Sequence, residues 1–159
     1  MHYYLTKFFW LPISLIILGV DRFSKWLVIF NYNGVDSLTL LPVLNLSLVF
    51  NRGAAFGLWG RSGPWARWLL IIITSIISFL IILWQFKSSK SSCWVSAAMA
   101  LILGGALGNL WDRICYGAVI DFIQFHLGDW YYPTFNLADV AIFLGAMLLI
   151  TEILTTREK

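Results

Sequence analysis

The sequence predicts an all-α membrane protein with four transmembrane helices and a small extracytoplasmic β-type lip formed by its two long loops. Two observations lead to this fold class. Of the 159 residues, 60% are hydrophobic and only 12% are charged, whereas soluble domains carry about a quarter charged residues. Four segments are also apolar enough, and close enough to the roughly 20 residues required, to cross a bilayer. We expect a single integral membrane domain over residues 1–159.

The predicted spans are the apolar segments Phe8–Phe30, Trp68–Phe86, Trp94–Trp111 and Ala138–Leu154. The first begins after Lys7 as a secretory signal peptide would, but no small-x-small cleavage site follows, so we interpret it as a retained span. An even number of spans places both termini on one side of the membrane. The basic residues of Lys87–Lys90 and of residues 157–159 favour the cytoplasm for that side, by a slight excess of positive charge.

The two long connections lie on the opposite side and have the pattern of extended chain. Between Leu44 and Leu48, leucine occupies every second position, which is the period of a β-strand. The second connection contains a β-branched and aromatic stretch, Val119–Phe125, then a turn at Gly128 and Asp129 and further aromatic residues. This order predicts a hairpin or a short extended lip.

Composition argues against several classes of function. The net charge is +3 and the basic residues are scattered, so the clustered basic surface of a nucleic-acid-binding protein is missing. The only histidines are His2 and His126, and neither a CxxC nor an HExxH motif occurs, so we expect no metal and no cofactor. Cys93 and Cys115 flank the third span, roughly 30 Å apart along a helix, which is too far for a disulfide.

Ionisable residues at membrane depth are energetically costly and usually functional. Asp21 lies one helical turn before Lys25 in the first span, and such a pair neutralises itself, which favours a structural role. Asp112 and Arg113 close the third span after several glycines. Close helix packing explains those glycines adequately, and Asn109 would then form a hydrogen bond across the interface. A role in shaping a site is the alternative for this cluster.

Asp121 and Asp139 are the strongest candidates for chemistry. Asp121 has apolar neighbours on both sides, so poor solvation should raise its pKa. Asp139 follows Asn136, the predicted N-cap of the fourth span, and taken alone it is most simply a capping acid. The topology nevertheless brings both residues to one face of the membrane. One of the two carboxyl groups is expected to be ionised and the other protonated. Such a pair can catalyse hydrolysis, because the ionised group takes a proton from water while the protonated group polarises the scissile carbonyl.

Other hydrolytic mechanisms lack the residues they need. The segment Gly60–Gly63 has the GxSG pattern of rhomboid-type serine proteases, but it lies in a polar loop and no span contains a histidine base. The ligands of a zinc protease and the presenilin-type GxGD are absent. Two alternatives without hydrolysis stay open. One is a small proton-coupled transporter or channel, although both aspartates lie at one face; the other is a non-catalytic assembly factor that packs through its glycines.

Five short motifs are distributed in order over nearly the whole chain. They are the D-x-x-[ST]-K of residues 21–25, the N-x-G-A-A-F of 51–56, the G-G-x-x-G-N-x-x-D-R of 104–113, the V-x-D-F of 119–122 and the F-N-x-A-D of 135–139. Each motif is weak alone, but the ordered set is specific. It resembles the bacterial lipoprotein signal peptidase (signal peptidase II) family, with no departure at the key positions.

The resemblance implies a membrane aspartic endopeptidase that cuts prolipoproteins immediately before a diacylglyceryl-modified cysteine, with Asp121 and Asp139 as the catalytic pair and no cofactor. It implies the bacterial cytoplasmic (inner) membrane, cytoplasmic termini and a site at the outer leaflet. The expected partners are diacylglyceryl-modified prolipoproteins and membrane lipids, with no nucleic acid, and the chain should act as a monomer. Further residues should bind substrate or support the site: Asp21, Lys25, Asn51, Gly53, Asn109, Asp112, Arg113, Asn136 and Ala138.

Overall fold

The computed structural model describes residues 10–31, 37–53, 64–87 and 92–157. In chain order these residues form α1 (Trp10–Asn31), β1 (Leu38–Leu41), β2 (Leu44–Asn51), α2 (Pro64–Lys87), α3 (Cys93–Cys115), β3 (Val119–Leu127), β4 (Trp130–Tyr131) and α4 (Leu137–Arg157). The predicted fold class is confirmed, since the chain is mostly helical and carries a small antiparallel sheet. The GxSG segment, residues 54–56 of the second motif and His2 lie outside the described residues.

Three of the described helices are long and apolar enough to cross a membrane, over Trp65–Lys87, Cys93–Cys115 and Leu137–Thr156. Helix α1 has a comparable length of 22 residues, but its middle carries Asp21, Arg22 and Lys25. Its outer face is apolar, with Phe23 60% and Phe30 71% exposed, whereas Asp21 and Lys25 are 0% exposed. Apolar side chains outside and charges inside are the arrangement that lipid as a solvent requires, and the fold is that of a multi-pass membrane protein.

Helix α3 is central, because it packs against each of the other three helices. Its glycines allow the close approach that their spacing predicts. A Cβ atom on Gly104 would lie 2.7 Å from the Ser14 carbonyl oxygen of α1, and one on Gly108 would lie 2.5 Å from Oδ2 of Asp21. Gly105 is in similarly close contact with the start of α4. Only residues without a side chain fit at these positions, so the glycines determine how near α1 and α4 come to α3.

The four strands form one sheet in the order β1-β2-β3-β4. Strands β2 and β3 pair antiparallel from Leu44 opposite Phe125 to Asn51 opposite Val119, so the two long loops join each other. The predicted strand and hairpin are therefore present, whereas β1, without an alternating pattern, has no signal in the sequence. Because β2 follows α1 and β3 follows α3, both helices end at the sheet, and α4 begins there. The sheet thus covers one end of the bundle.

The start of α2 also lies at this end. The Arg67 side chain donates hydrogen bonds to the carbonyl oxygens of Arg113, at 2.9 Å, and Ile114, at 3.1 Å, at the end of α3. These carbonyls have no partner within their own helix, and a cation there also interacts favourably with the helix dipole. Successive helices consequently alternate in direction, and the loops at the sheet end converge on α3.

Candidate active site

The sheet end of the bundle contains an open cavity of about 380 Å³. Its polar wall consists of Asn51, Asn109, Arg113, Asp121 and Asp139. The remaining wall is mainly apolar or aromatic and consists of Val119, Tyr132, Pro133, Thr134, Phe135, Ile142, Phe143 and Ala146. Both aspartates that the sequence singles out therefore face one cavity, which combines ionisable groups with an apolar surface along α4.

Asp121 lies in β3 and is 2% exposed. Its carboxyl group accepts hydrogen bonds from the side-chain amides of Asn136, at 2.7 Å, and Asn51, at 3.1 Å. Burial and then the nearby Asp139 raise the pKa of Asp121 from 3.8 to about 7, although the two amides and Lys25 act in the opposite direction. Near neutral pH a substantial fraction of Asp121 is therefore protonated.

Asp139 lies in the first turn of α4, where it forms a reciprocal cap with Asn136. The Asp139 backbone N–H donates to Oδ1 of Asn136 at 2.9 Å, and the Asn136 backbone N–H donates to Oδ2 of Asp139 at 3.2 Å. The Asn109 amide donates to the other oxygen, Oδ1, at 2.8 Å. Two N–H groups thus donate to this carboxyl group at the positive end of the helix dipole. The capping role predicted for Asp139 thus also fixes its side chain at the cavity wall.

Asn136 connects the two acids directly. It is 0% exposed, and while its backbone and Oδ1 cap α4, its Nδ2 contacts Asp121. The same Nδ2 also lies 3.1 Å from Oδ1 of Asn109 and 3.2 Å from the carbonyl oxygen of Ile120. One rigid side chain consequently holds β3, α3 and α4 in register at the point where the carboxyl groups meet.

Asn51, Gly53 and Arg113 fix the end of the first loop to the site. The Gly53 backbone N–H donates to Oδ1 of Asn51 at 3.0 Å, which turns the Asn51 NH₂ group towards Asp121. Arg113 donates to the carbonyl oxygens of Gly53 and Asn109, each at 3.3 Å. The structure therefore brings these predicted residues together around Asp121.

Asp21, Lys25 and Asp112 lie behind the cavity wall rather than on it. The sequence predicts a self-contained pair of Asp21 and Lys25, but the structure corrects this. The Lys25 Nζ lies 2.8 Å from Oδ2 of Asp21 and 2.7 Å from Oδ2 of Asp112, and all three side chains are 0% exposed. Arg22 binds the other oxygen of Asp112. The local spacing rule identifies one partner of Lys25, but the second comes from another helix.

Sequence reasoning missed Arg22 and the apolar wall of the cavity. Arg22 occupies a variable position of its motif, and its partner Asp112 is 90 residues away, so no local pattern could indicate the contact. Ile142 and Phe143 could have been found, because they lie three and four residues after Asp139 and therefore on its face of the helix. Ala138, 0% exposed, packs against α3 and does not line the cavity.

Comparisons with known proteins agree with this architecture. A family model for signal peptidase (SPase) II matches residues 13–155. A lipoprotein signal peptidase of Burkholderia mallei is 47% identical over 145 residues, which cover 90% of this chain and 86% of that protein. The protein of the same name from Photorhabdus laumondii is 42% identical over 143 residues, with the same coverage of 90% and 86%.

Two solved structures of bacterial membrane enzymes share the fold. The first has a TM-score of 0.82 and 29% sequence identity and covers 94% of this chain and 91% of its own. The second has a TM-score of 0.78 and 30% identity and covers 91% of this chain and 92% of its own.

Proposed function

The chain belongs to the signal peptidase II family of membrane aspartic peptidases, which remove signal peptides from prolipoproteins, and we propose that Asp121 and Asp139 are its catalytic pair. The observation that carries the proposal is that both carboxyl groups face one cavity and are connected by the buried Asn136. Family membership also decides against the transporter and the assembly factor.

The balance of charges supports a pair that shares one proton. Among the described residues that line the cavity or form the ion pairs behind it, the positively charged side chains are Arg22, Lys25 and Arg113, and the carboxyl groups are Asp21, Asp112, Asp121 and Asp139. One carboxyl group therefore lacks a cation. An unpaired charge in a buried site is costly, so a proton on one carboxyl group restores neutrality. The raised pKa of Asp121 supports the assignment of this proton to Asp121.

The roles of the two acids follow from this assignment. Asp139 removes a proton from a water molecule as the water oxygen attacks the scissile carbonyl carbon, while Asp121 transfers its proton to the carbonyl oxygen. The resulting tetrahedral diol breaks down when Asp139 returns its proton to the leaving nitrogen, Asp121 takes one hydroxyl proton, and the C–N bond breaks. Both acids then regain their starting states.

The form of the cavity supports a lipid-modified substrate. Its wall along α4 is apolar at Ile142, Phe143 and Ala146 and adjoins the ionisable wall. Trp130 and Tyr131 are more than half exposed at the same end of the bundle, as is typical of side chains at headgroup level. We therefore place the cleaved bond immediately before the diacylglyceryl-modified cysteine.

We further propose the membrane setting that the resemblance to the family implies. The site lies at the outer leaflet of the cytoplasmic (inner) membrane, both termini lie in the cytoplasm, and the enzyme acts as a monomer in contact with membrane lipids. The sheet, the cavity and the exposed aromatic residues lie at the same end of the bundle, which supports one orientation for all of them.

Cleavage of a synthetic lipidated prolipoprotein peptide by the purified protein tests the proposal. Asp121→Asn and Asp139→Asn should each abolish cleavage, and the double variant should lose no more than either single one, because the two acids act as a unit. Asp129→Asn, in the exposed turn of the hairpin, is the matched control and should cut normally. Mass spectra of the product should place the cut just before the modified cysteine. Full activity in either catalytic variant would contradict the mechanism.

A further inference from the structure

Behind the catalytic pair, Asp21, Lys25 and Asp112 form a cluster that we call the lysine clamp. The Lys25 ammonium group lies between the two carboxylates, at 2.8 Å from Asp21 and 2.7 Å from Asp112. All three side chains are 0% exposed and are therefore shielded from solvent. None of the three lines the cavity, so the cluster lies behind the cavity wall. Buried ion pairs contribute little net stability by themselves. The other groups that these charges bind therefore indicate their role.

Each carboxylate of the clamp also binds the backbone N–H of the residue that precedes one catalytic aspartate. Asp112 accepts the N–H of Ile120 at 3.2 Å, and Asp21 accepts the N–H of Ala138 at 3.0 Å. The Ala138 N–H belongs to the first turn of α4, where backbone donors have no partner within the helix. The clamp therefore holds the backbone at two equivalent points, each one residue before a proposed catalytic aspartate.

We propose that Lys25, acting through Asp21 and Asp112, is a positioning residue that sets the separation of the two catalytic carboxyl groups. The proposal rests on the assignment of Asp121 and Asp139 as the catalytic pair. Arg22 supports the clamp by pairing with the second oxygen of Asp112, so that two carboxylates face two cations. Together with Arg22, the clamp therefore contains equal numbers of carboxyl groups and basic groups.

Hydrogen exchange of the full-length protein in micelles tests the backbone contacts without reference to catalysis. Asp21→Asn should accelerate exchange of the Ala138 amide and leave Ile120 unchanged, and Asp112→Asn should do the reverse. We expect roughly ten-fold or faster exchange, because a hydrogen bond to a charged group is lost. Asp129→Asn is the matched control and should change neither amide. Unchanged exchange in both folded clamp variants would overturn the proposal, even if the catalytic assignment is correct.

The pH dependence of turnover tests the positioning role. The charged groups around Asp121 are Asp139 from α4, Arg113 and Asp112 from α3, and Asp21 and Lys25 from α1, whereas β2 offers only the Asn51 amide. The double variant Asp21→Asn/Lys25→Met removes one charge of each sign. Because Lys25 lowers the pKa of Asp121, its loss acts directly to raise that pKa, so a shift of the alkaline limb to lower pH reports on geometry. This neutral variant also avoids leaving an unpaired buried charge, which makes it the choice if the single variants do not fold.

A wider separation of the pair weakens the effect of Asp139 on Asp121, so the alkaline limb of the pH profile should move to lower pH. For charges about 4 Å apart, a further 1 Å lowers the limb by roughly half a pH unit, and turnover should fall by up to about 10²-fold. Ser14→Ala, buried in the same helix, should leave the profile in place. If the double variant loses turnover equally at every pH, its residues only support folding, and the positioning role is wrong.

Discussion

Replacing the proposed catalytic acid Asp121 with asparagine should change how protein stability depends on pH. Folding raises the pKa of Asp121 from 3.8 to about 7, so the folded state binds its proton more tightly than the unfolded state. This contribution to stability is fully present below pH 3.8, declines as the pH rises, and is lost above about pH 7. At 1.36 kcal/mol for each pKa unit, the decline amounts to roughly 4 kcal/mol. Asparagine does not ionise, so the variant lacks this decline.

The substitution also has a cost that does not depend on pH. Asn51 and Asn136 each donate a hydrogen bond to one oxygen of Asp121. Asparagine has a single acceptor oxygen, so its NH₂ group must face one of these donors, at a cost of about 1–3 kcal/mol. The variant should therefore be less stable than the wild type in acid and more stable above pH 7. The two stability curves should cross between about pH 4.5 and pH 6.

Thermal unfolding in detergent micelles, followed by the fluorescence of the 9 tryptophans, measures this difference. Above pH 7 the Asp121→Asn variant should unfold a few degrees higher than the wild type, since about 1 kcal/mol corresponds to roughly 2–4 °C for a chain of this size. Asp129→Asn, in an exposed turn, should follow the wild-type curve. A variant that is less stable than the wild type at pH 8, or a difference that does not vary with pH, would refute the reasoning.

Three further outcomes are expected. Gly108→Leu should prevent the helices from assembling, because even a Cβ would lie 2.5 Å from Oδ2 of Asp21. Gly19→Leu is the control and should be tolerated, because the space around Gly19 is open. The yield of folded protein in size-exclusion chromatography compares the two variants. Asn51→Ala should reduce turnover and move the alkaline limb to higher pH by roughly one unit, because the Asn51 hydrogen bond lowers the pKa of Asp121 and its removal lets that pKa rise; an unmoved limb would be inconsistent with that contact. Metal chelators should leave peptide cleavage unchanged, and inhibition reversed by added metal would argue against water activation by carboxyl groups alone.

The parts of this fold that follow from local pattern could be predicted from the sequence. The helices arise from long apolar segments, and the alternation after Leu44 indicates β2 because side chains two apart lie on the same face of a strand. The N-cap of α4 could likewise be identified from Asn136 and Asp139, since capping depends on residues three apart. Topology then brought the two candidate acids to the same end of the bundle, and both face the cavity found there.

Contacts between distant segments could not be predicted in this way. The i,i+4 rule pairs Lys25 with Asp21, yet Lys25 is shared equally with Asp112 from another helix. Arg22 lies beside Lys25 in a helix that has to face lipid, and only the position of Asp112 explains why a second cation is tolerated there. Spacing rules describe one element at a time, whereas these charges are balanced across two helices.

The pairing of β2 with β3 and the cap of α4 have a consequence for how the enzyme is made. Asn51, Asp121 and Asp139 leave the ribosome in that order, and α4 is the last of the described helices. Until α4 enters the bilayer, Asp21 lacks the Ala138 N–H that it binds, and Asp121 lacks Asn136. A nascent chain therefore carries one proposed acid without its base. With Asp121 and Asp139 as the proposed pair, proteolytic activity should begin only when α4 has inserted, so a nascent chain that lacks α4 should not cut its neighbours.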